Sequence, residues 1–571
     1  DTYVLADINK ASEFAIAAYD QVTEAAGEGN DTIVVEALDN PDTHSSIERY
    51  TLGANVENGL VTGGLAFNLG GNELGNGLTG NAAGNLLAGL AGNDLLHGQG
   101  GIDGLAGGLG DDTYVLADIN KAGEFGIAAY DETTEAAGEG NDTVLVEALD
   151  NPDTHSSIEH YALAANIENG IVTGALAFNL TGNELRNRLT GNGSGNMLSG
   201  QDGNDMLSGL GGIDVLIGGA GNDRYVLADI NKASAFATAA YDSAIEQGGG
   251  GIDTVLVEAL DNPDTFSGVD GYTLGLNIEH CIVTGAIAFD LAGNELGNRL
   301  TGNAGANRLD GNGGNDRLAG LGGNDIYIVD SARDGIAEAA GGGADRVLAS
   351  VGYSLAAGVH IEALSAAVAA ATTAMNLNGN QVANRITGNA GENGLRGNAG
   401  DDILVGLAGA DRLYGGAGND VLSGGAGRDG FFFQTALDPA ANVDRIADFA
   451  SADDTIWLDR AIFTALAEGP LVPGAFRPGT AAADASDRIV YDRVTGSIFY
   501  DADGAGGAAQ ILFARVDPGT ALSRADFAAY QGPAQAAAEA KPPAFSPELT
   551  MITPSRAAAA AAAEWIDVAI V

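Results

Sequence analysis

Aspartate returns at nine-residue intervals in this chain: Asp94, Asp103 and Asp112, then Asp205, Asp214 and Asp223, then Asp316 and Asp325, and finally Asp402, Asp411, Asp420 and Asp429. Each stands five residues after a glycine, as Asp94 does after Gly89 and Asp112 after Gly107. A carboxylate is a hard oxygen donor, so a regular file of them suits a hard divalent cation that takes about six to eight oxygens in irregular geometry. One short loop with one carboxylate supplies too few. An ion must therefore be shared between copies that the fold brings together.

The elements that would position these residues follow from the same period. Between Gly71 and Val115 glycine stands at Gly71, Gly80, Gly89, Gly98 and Gly107. Counting that glycine as the first of nine, the sixth position reads Asn76, Asn85, Asp94, Asp103, Asp112, and the eighth reads Leu78, Leu87, Leu96, Leu105, Tyr114. No helix has this period. Each nonapeptide reads as one glycine-permitted turn and one short strand whose single large apolar residue points inward. The same phase recurs over 182–226, 293–328 and 379–432, so stacked copies would form a ladder.

This pattern, as in Gly-Gly-Leu-Gly-Asp-Asp-Thr-Tyr-Val from Gly107 to Val115, resembles the calcium-binding nonapeptides of RTX (repeats-in-toxin) proteins. The resemblance implies an all-β fold, a right-handed parallel β-roll or β-solenoid, with Ca2+ as the cofactor. It also implies that successive nonapeptides alternate between two sides of a flattened coil, so that copies n and n+2 share an ion. Asp94 then partners Asp112, Asp205 partners Asp223, Asp402 partners Asp420, and Asp411 partners Asp429, giving four places with two carboxylates. The same counting gives eight mixed pairs, such as Asn85 with Asp103 and Asn307 with Asp325. For the asparagines that open each array, capping their own turn is the favoured role.

Composition agrees with a repetitive, cation-binding stack. A solenoid grows in one dimension, so 571 residues report repeat number rather than several globular cores. With 87 glycines and 6% aromatics the core must be thin. A formal charge of −52 opposes compaction and argues against nucleic acid or anionic membrane partners, while divalent metal would neutralise it economically. Cys281 is the only cysteine and makes no intrachain disulfide; it reads as a small packing residue in a strand. No apolar run is long enough for a membrane-spanning helix.

In chain order, spacers over 1–70, 116–181, 227–292 and 329–378 separate arrays over 71–115, 182–226, 293–328 and 379–432. The first three spacers are copies of one another. Asp31 to Val35 and Asn166 to Val172 read as strands continuing the stack, and Lys10 to Tyr19 reads as a short helical excursion. The loop Asp39 to His44 returns as Asp150 to His155, but its third copy, Asp261 to Phe266, replaces the histidine with phenylalanine. An Asx-Pro turn explains that loop better than a metal or acid-base site. Asp1 to Val4 copies Asp112 to Val115 without the five residues before it, so the sequence reads as part of a longer polypeptide, with room upstream for a catalytic domain.

After Phe431-Phe432-Phe433 the glycine period stops. Residues 433–530 resemble the C-terminal cap that follows the arrays of serralysin-type proteases, which would cover the exposed strand edges of an open solenoid. Asp501-Ala502-Asp503-Gly504 starts like an EF-hand loop but lacks the later glutamate, so a turn is favoured. Residues 531–571 form an alanine- and proline-rich tail whose end, Asp567 to Val571, fits loosely the uncleaved type I secretion signal that the resemblance implies.

Three functions stay open: a secreted calcium-binding roll serving as scaffold or export module, the C-terminal non-catalytic part of a secreted protease, lipase or epimerase, and a surface adhesin stalk. The expected partners are calcium ions and a type I secretion apparatus, and the expected location is extracellular or the cell surface. His-Glu-x-x-His, Gly-x-Ser-x-Gly and Walker patterns do not occur, so no catalytic residue is assigned within the chain.

Overall fold

The computed structural model describes residues 1–5, 22–27, 29–37, 49–117, 131–148, 160–227, 242–259 and 271–532. The helical excursion expected over Lys10 to Tyr19, the three proline loops and nearly all of the tail lie outside the described residues.

The nonapeptide period becomes a coil of short strands on two facing sheets. In the first array, Gly77–Thr79, Leu95–His97 and Thr113–Leu116 pair in parallel on one face. Asn68–Gly70, Leu86–Ala91 and Gly104–Leu109 pair in parallel on the other. The register advances by two nonapeptides per rung, with Leu78 beside Leu96 and Leu96 beside Tyr114. On the opposite face Leu69 lies beside Leu87 and Leu87 beside Leu105. These leucines are completely or almost completely buried. Burying one stabilises the stack by about 1.5–3 kcal/mol, and a core one side chain deep per face follows from the sparse aromatics.

One face is a sixteen-stranded sheet running from Thr2–Leu5 to Gly335–Ala337, and the later chain builds sheets of fourteen and eight strands. The spacers continue the same ladder. Thr143–Ala148 pairs on one side with Thr113–Leu116 and on the other with Asn169–Gly174. The strand read from Asn166 therefore starts three residues later, because Asn166 sits in a turn at φ 66. The strand read from Asp31 is Thr32–Ala37. Cys281 is buried in His280–Gly285 beside Val255. Apart from a single 3-10 turn at Arg524–Asp526, the described residues form no helix.

Beyond the fourth array the parallel order persists for two more rungs, Gly430–Phe433 with Thr455–Asp459 and the latter with Phe527–Tyr530. Then the chain reverses: Ile489–Asp492, Ser497–Tyr500 and Ile511–Arg515 pair antiparallel. The triple phenylalanine marks that change. Phe432 stacks between Tyr414 and Trp457, with ring centroids at 4.5 and 5.7 Å, and Phe433 packs edge-on against Phe513.

Candidate metal centre

The strands place the sixth-position aspartates on the turn between the two sheets, where Oδ1 accepts from a backbone amide of the rung below. Asp94, Asp103 and Asp112 accept from the amides of Asn76, Asn85 and Asp94. Asp205, Asp214 and Asp223 accept from Asn187, Asn196 and Asp205. Asp316 and Asp325 accept from Asn298 and Asn307. Asp402, Asp411, Asp420 and Asp429 accept from Asn384, Asn393, Asp402 and Asp411. All twelve contacts fall between 2.6 and 2.9 Å. The stacking of copies n and n+2 is thus written in hydrogen bonds, and it brings together the pairs Asp94–Asp112, Asp205–Asp223, Asp402–Asp420 and Asp411–Asp429.

The second oxygen tells what the turn is built to hold. Oδ2 of Asp94, Asp112, Asp205, Asp223, Asp402, Asp411, Asp420 and Asp429 is buried with no hydrogen-bond partner. An uncompensated buried carboxylate costs several kcal/mol. The first glycine of each nonapeptide keeps the space beside it open. A Cβ on Gly89 would lie 2.1 Å from Asp94 Oδ2 and 2.8 Å from the Gly107 carbonyl oxygen, and one on Gly397 would meet Asp402 Oδ2 at 2.1 Å and Gly415 O at 2.4 Å. Orphaned carboxylate oxygens converging with backbone carbonyls in a cradle closed to any side chain form an all-oxygen donor set that fits calcium.

Electrostatics point the same way. Burial, with the neighbouring Asp112 charge adding to it, pushes Asp94 up to about 7 against the opposing hydrogen bond from Asn76. Asp205 and Asp402 are likewise raised to about 7, with burial as the main cause. Without a cation the site disfavours its own charge.

The asparagines behave differently. Asn76 accepts from the Asn72 amide at 2.7 Å and donates through Nδ2 to the carbonyls of Val56 and Glu57. Asn187 repeats this with Asn183, Ile167 and Glu168. Their side chains are spent on turn and stack contacts, the capping role expected for array openers.

The spacers add carboxylates that the nonapeptide count missed. The amides of Asp103 and Asp112 donate to Asp131 and Asp142, those of Asp214 and Asp223 to Asp242 and Asp253, and those of Asp316 and Asp325 to Asp334 and Asp345. Asp420 and Asp429 donate to Asp444 and Asp454. The expected four places with two carboxylates count nonapeptide pairs alone, and the spacers add stacked aspartate pairs beside them, two of these in the third array. The ladder continues through spacer strands that lack the glycine phase. In Asp142-Thr143-Val144 the acid keeps its spacing to the inward apolar residue, the one signal that could have found it. Asp501 makes a turn, its Oδ1 accepting from the Gly504 amide at 2.8 Å. Among the described residues no helix is long and apolar enough to cross a membrane.

A parallel β-roll with a seam of buried carboxylates along its turns defines the class. The model of the RTX calcium-binding nonapeptide repeat, four copies, matches residues 79–114, 181–216, 199–227, 293–327, 378–411 and 396–431. The arrays carry RTX calcium-binding repeats and so bind calcium, and these repeats are binding modules rather than catalytic ones. No curated protein matches the chain.

Proposed function

We propose that this RTX protein is secreted, that its arrays remain unfolded at low calcium and fold on meeting extracellular calcium, and that the folded roll serves as a scaffold or export module. The supporting observation is the file of buried, unpartnered Oδ2 atoms, since a chain of charge −52 gains little by folding around them unless a cation arrives. Asp94, Asp103, Asp112, Asp205, Asp214, Asp223, Asp316, Asp325, Asp402, Asp411, Asp420 and Asp429 would hold the ions together with glycine carbonyls. Calcium would supply the neutralising charge, and binding free energy would become folding free energy. A type I secretion apparatus would export the unfolded chain. The segment 433–530 would act as a serralysin-type cap over the last rung.

Circular dichroism during a calcium titration tests this. Cooperative gain of β signal at roughly 10⁻⁴ to 10⁻³ M calcium, the range of extracellular modules, is expected. Identical spectra in chelator and millimolar calcium would overturn it.

A further inference from the structure

Three array ends carry a group that the nonapeptide pattern does not contain. At the end of the first array Asp112 meets Glu135 and Asp142 of the spacer; at the second Asp223 meets Glu246 and Asp253; at the third Asp325 meets Glu338 and Asp345. In each trio one oxygen from every residue lies within 4.8 Å of the other two, and all nine residues are more than nine-tenths buried. A tyrosine completes each set: the hydroxyls of Tyr114, Tyr225 and Tyr327 donate to Glu135, Glu246 and Glu338.

The glutamate is more than a backbone cap. Its Oε1 in the first trio takes the tyrosine hydroxyl and the Gly107 amide, while Oε2 is buried without a partner, as is Asp112 Oδ2. Oδ2 of Asp223, Asp253 and Asp325 is in the same state. The charged groups that face Asp112 are acids, Asp142, Asp111 and Glu139.

The fourth spacer makes the trio a feature in its own right. Tyrosine and glutamate stand 21 residues apart in the first two trios and 11 in the third, and the two aspartates 30, 30 and 20 apart. Shortening the connection leaves the grouping intact. The fourth array, which runs into the cap, has Phe431 where the others have tyrosine, and Asp448 there accepts the amides of Gly424 and Gly425 and the Ser423 hydroxyl.

We infer that at each of these three array–spacer junctions the spacer glutamate joins the stacked aspartate pair to make a calcium site of three carboxylates, a class that the nonapeptide arrays do not contain. The inference rests on the arrays binding calcium. A third carboxylate raises the charge at the ion, which makes these junctions the tighter class.

The test counts ions in the full-length chain by equilibrium dialysis against calcium with metal analysis. Wild type is compared with a triple variant, Glu135→Gln, Glu246→Gln and Glu338→Gln. Three fewer ions per chain at a calcium concentration that fills only the tighter class in wild type, with an unchanged β signal at saturating calcium, is the expected result. An unchanged count would overturn the inference and make the trio a hydrogen-bonded plug of protonated glutamate. No calcium bound by wild type would overturn the function proposed above, and this inference with it. Should the glutamine variant not fold, terbium alone replaces calcium and the variant becomes Tyr114→Phe, Tyr225→Phe and Tyr327→Phe. Tyrosine-sensitised terbium emission should lose most of its intensity relative to direct excitation, and an undiminished ratio would equally overturn the inference.

Discussion

The amide of Asp94 donates to Oδ1 of Asp112 at 2.7 Å, eighteen residues on. The same carboxylate that would face an ion therefore also clamps the rung beneath it. Binding and stacking share one group, which couples cation uptake to folding.

From this coupling, asparagine and aspartate at the sixth position are not interchangeable. Asn76 Nδ2 donates to two carbonyls, those of Val56 and Glu57. Asn76→Asp would turn a carboxylate toward both. The change should destabilise the calcium-loaded chain by about 1–3 kcal/mol, the cost of groups left unpaired in a buried place, and add no bound ion. Thermal melting and an ion count check both; a gained ion without loss of stability would contradict the capping role.

Gly89 and Gly193 give a matched pair. A Cβ on Gly89 would sit 2.1 Å from Asp94 Oδ2, whereas one on Gly193 meets nothing within 4 Å. Gly89→Ala should raise the calcium midpoint by about tenfold, taking overpacking at about 1–3 kcal/mol. Gly193→Ala should leave it within about twofold, as for a glycine without steric demand. Titrating both variants by circular dichroism decides, and equal midpoints would remove the glycine cradle from the explanation.

Acid should substitute in part for calcium. Burial raises Asp94, Asp205 and Asp402 from 3.8 to about 7 in the calcium-free fold. The folded-state values lie above the unfolded one, so the folded chain binds more protons. The stability these groups contribute is fully present below the unfolded value of 3.8 and is lost as pH rises through about 7. Calcium-free protein should accordingly gain β signal as pH is lowered from 8 toward about 4, while protons competing for the carboxylates raise the calcium midpoint over the same window. A calcium-free signal that falls on acidification would reverse the sign and contradict the burial of these groups.

The coil itself was legible because the period is carried by backbone requirements. Glycine before Asp94 and leucine two residues after it leave one way to turn and one way to face inward, so the sequence alone puts Leu78, Leu96 and Tyr114 in a single file. What escaped was the spacer contribution. Asp131, Asp142 and Glu135 join the seam from outside the nonapeptide count, and a residue's neighbours across such a connection are set by the stack rather than by spacing. The third array shows this most plainly: the amides of Asp316 and Asp325 donate to Asp334 and Asp345 of the spacer.

The segment after the fourth array offers a local reporter of that array. Trp457 stacks on Phe432 at 5.7 Å, and Phe432 lies next to Phe431, which pairs with Leu413 in the core ladder of the fourth array. The chain's other tryptophan, Trp565, is removed as a signal by Trp565→Phe. In a quasi-one-dimensional stack each rung feels mainly its neighbours, so Trp457 emission should follow calcium binding in the fourth array and ignore the first. Asp411→Ala with Asp429→Ala should move the fluorescence midpoint to higher calcium, whereas Asp94→Ala with Asp112→Ala should leave it in place while lowering the total β signal. Both double variants remove two stacked carboxylates, so net charge is held equal. If the first-array variant shifts Trp457 as far as the fourth-array variant does, the roll folds as one cooperative unit and the nearest-neighbour description is wrong.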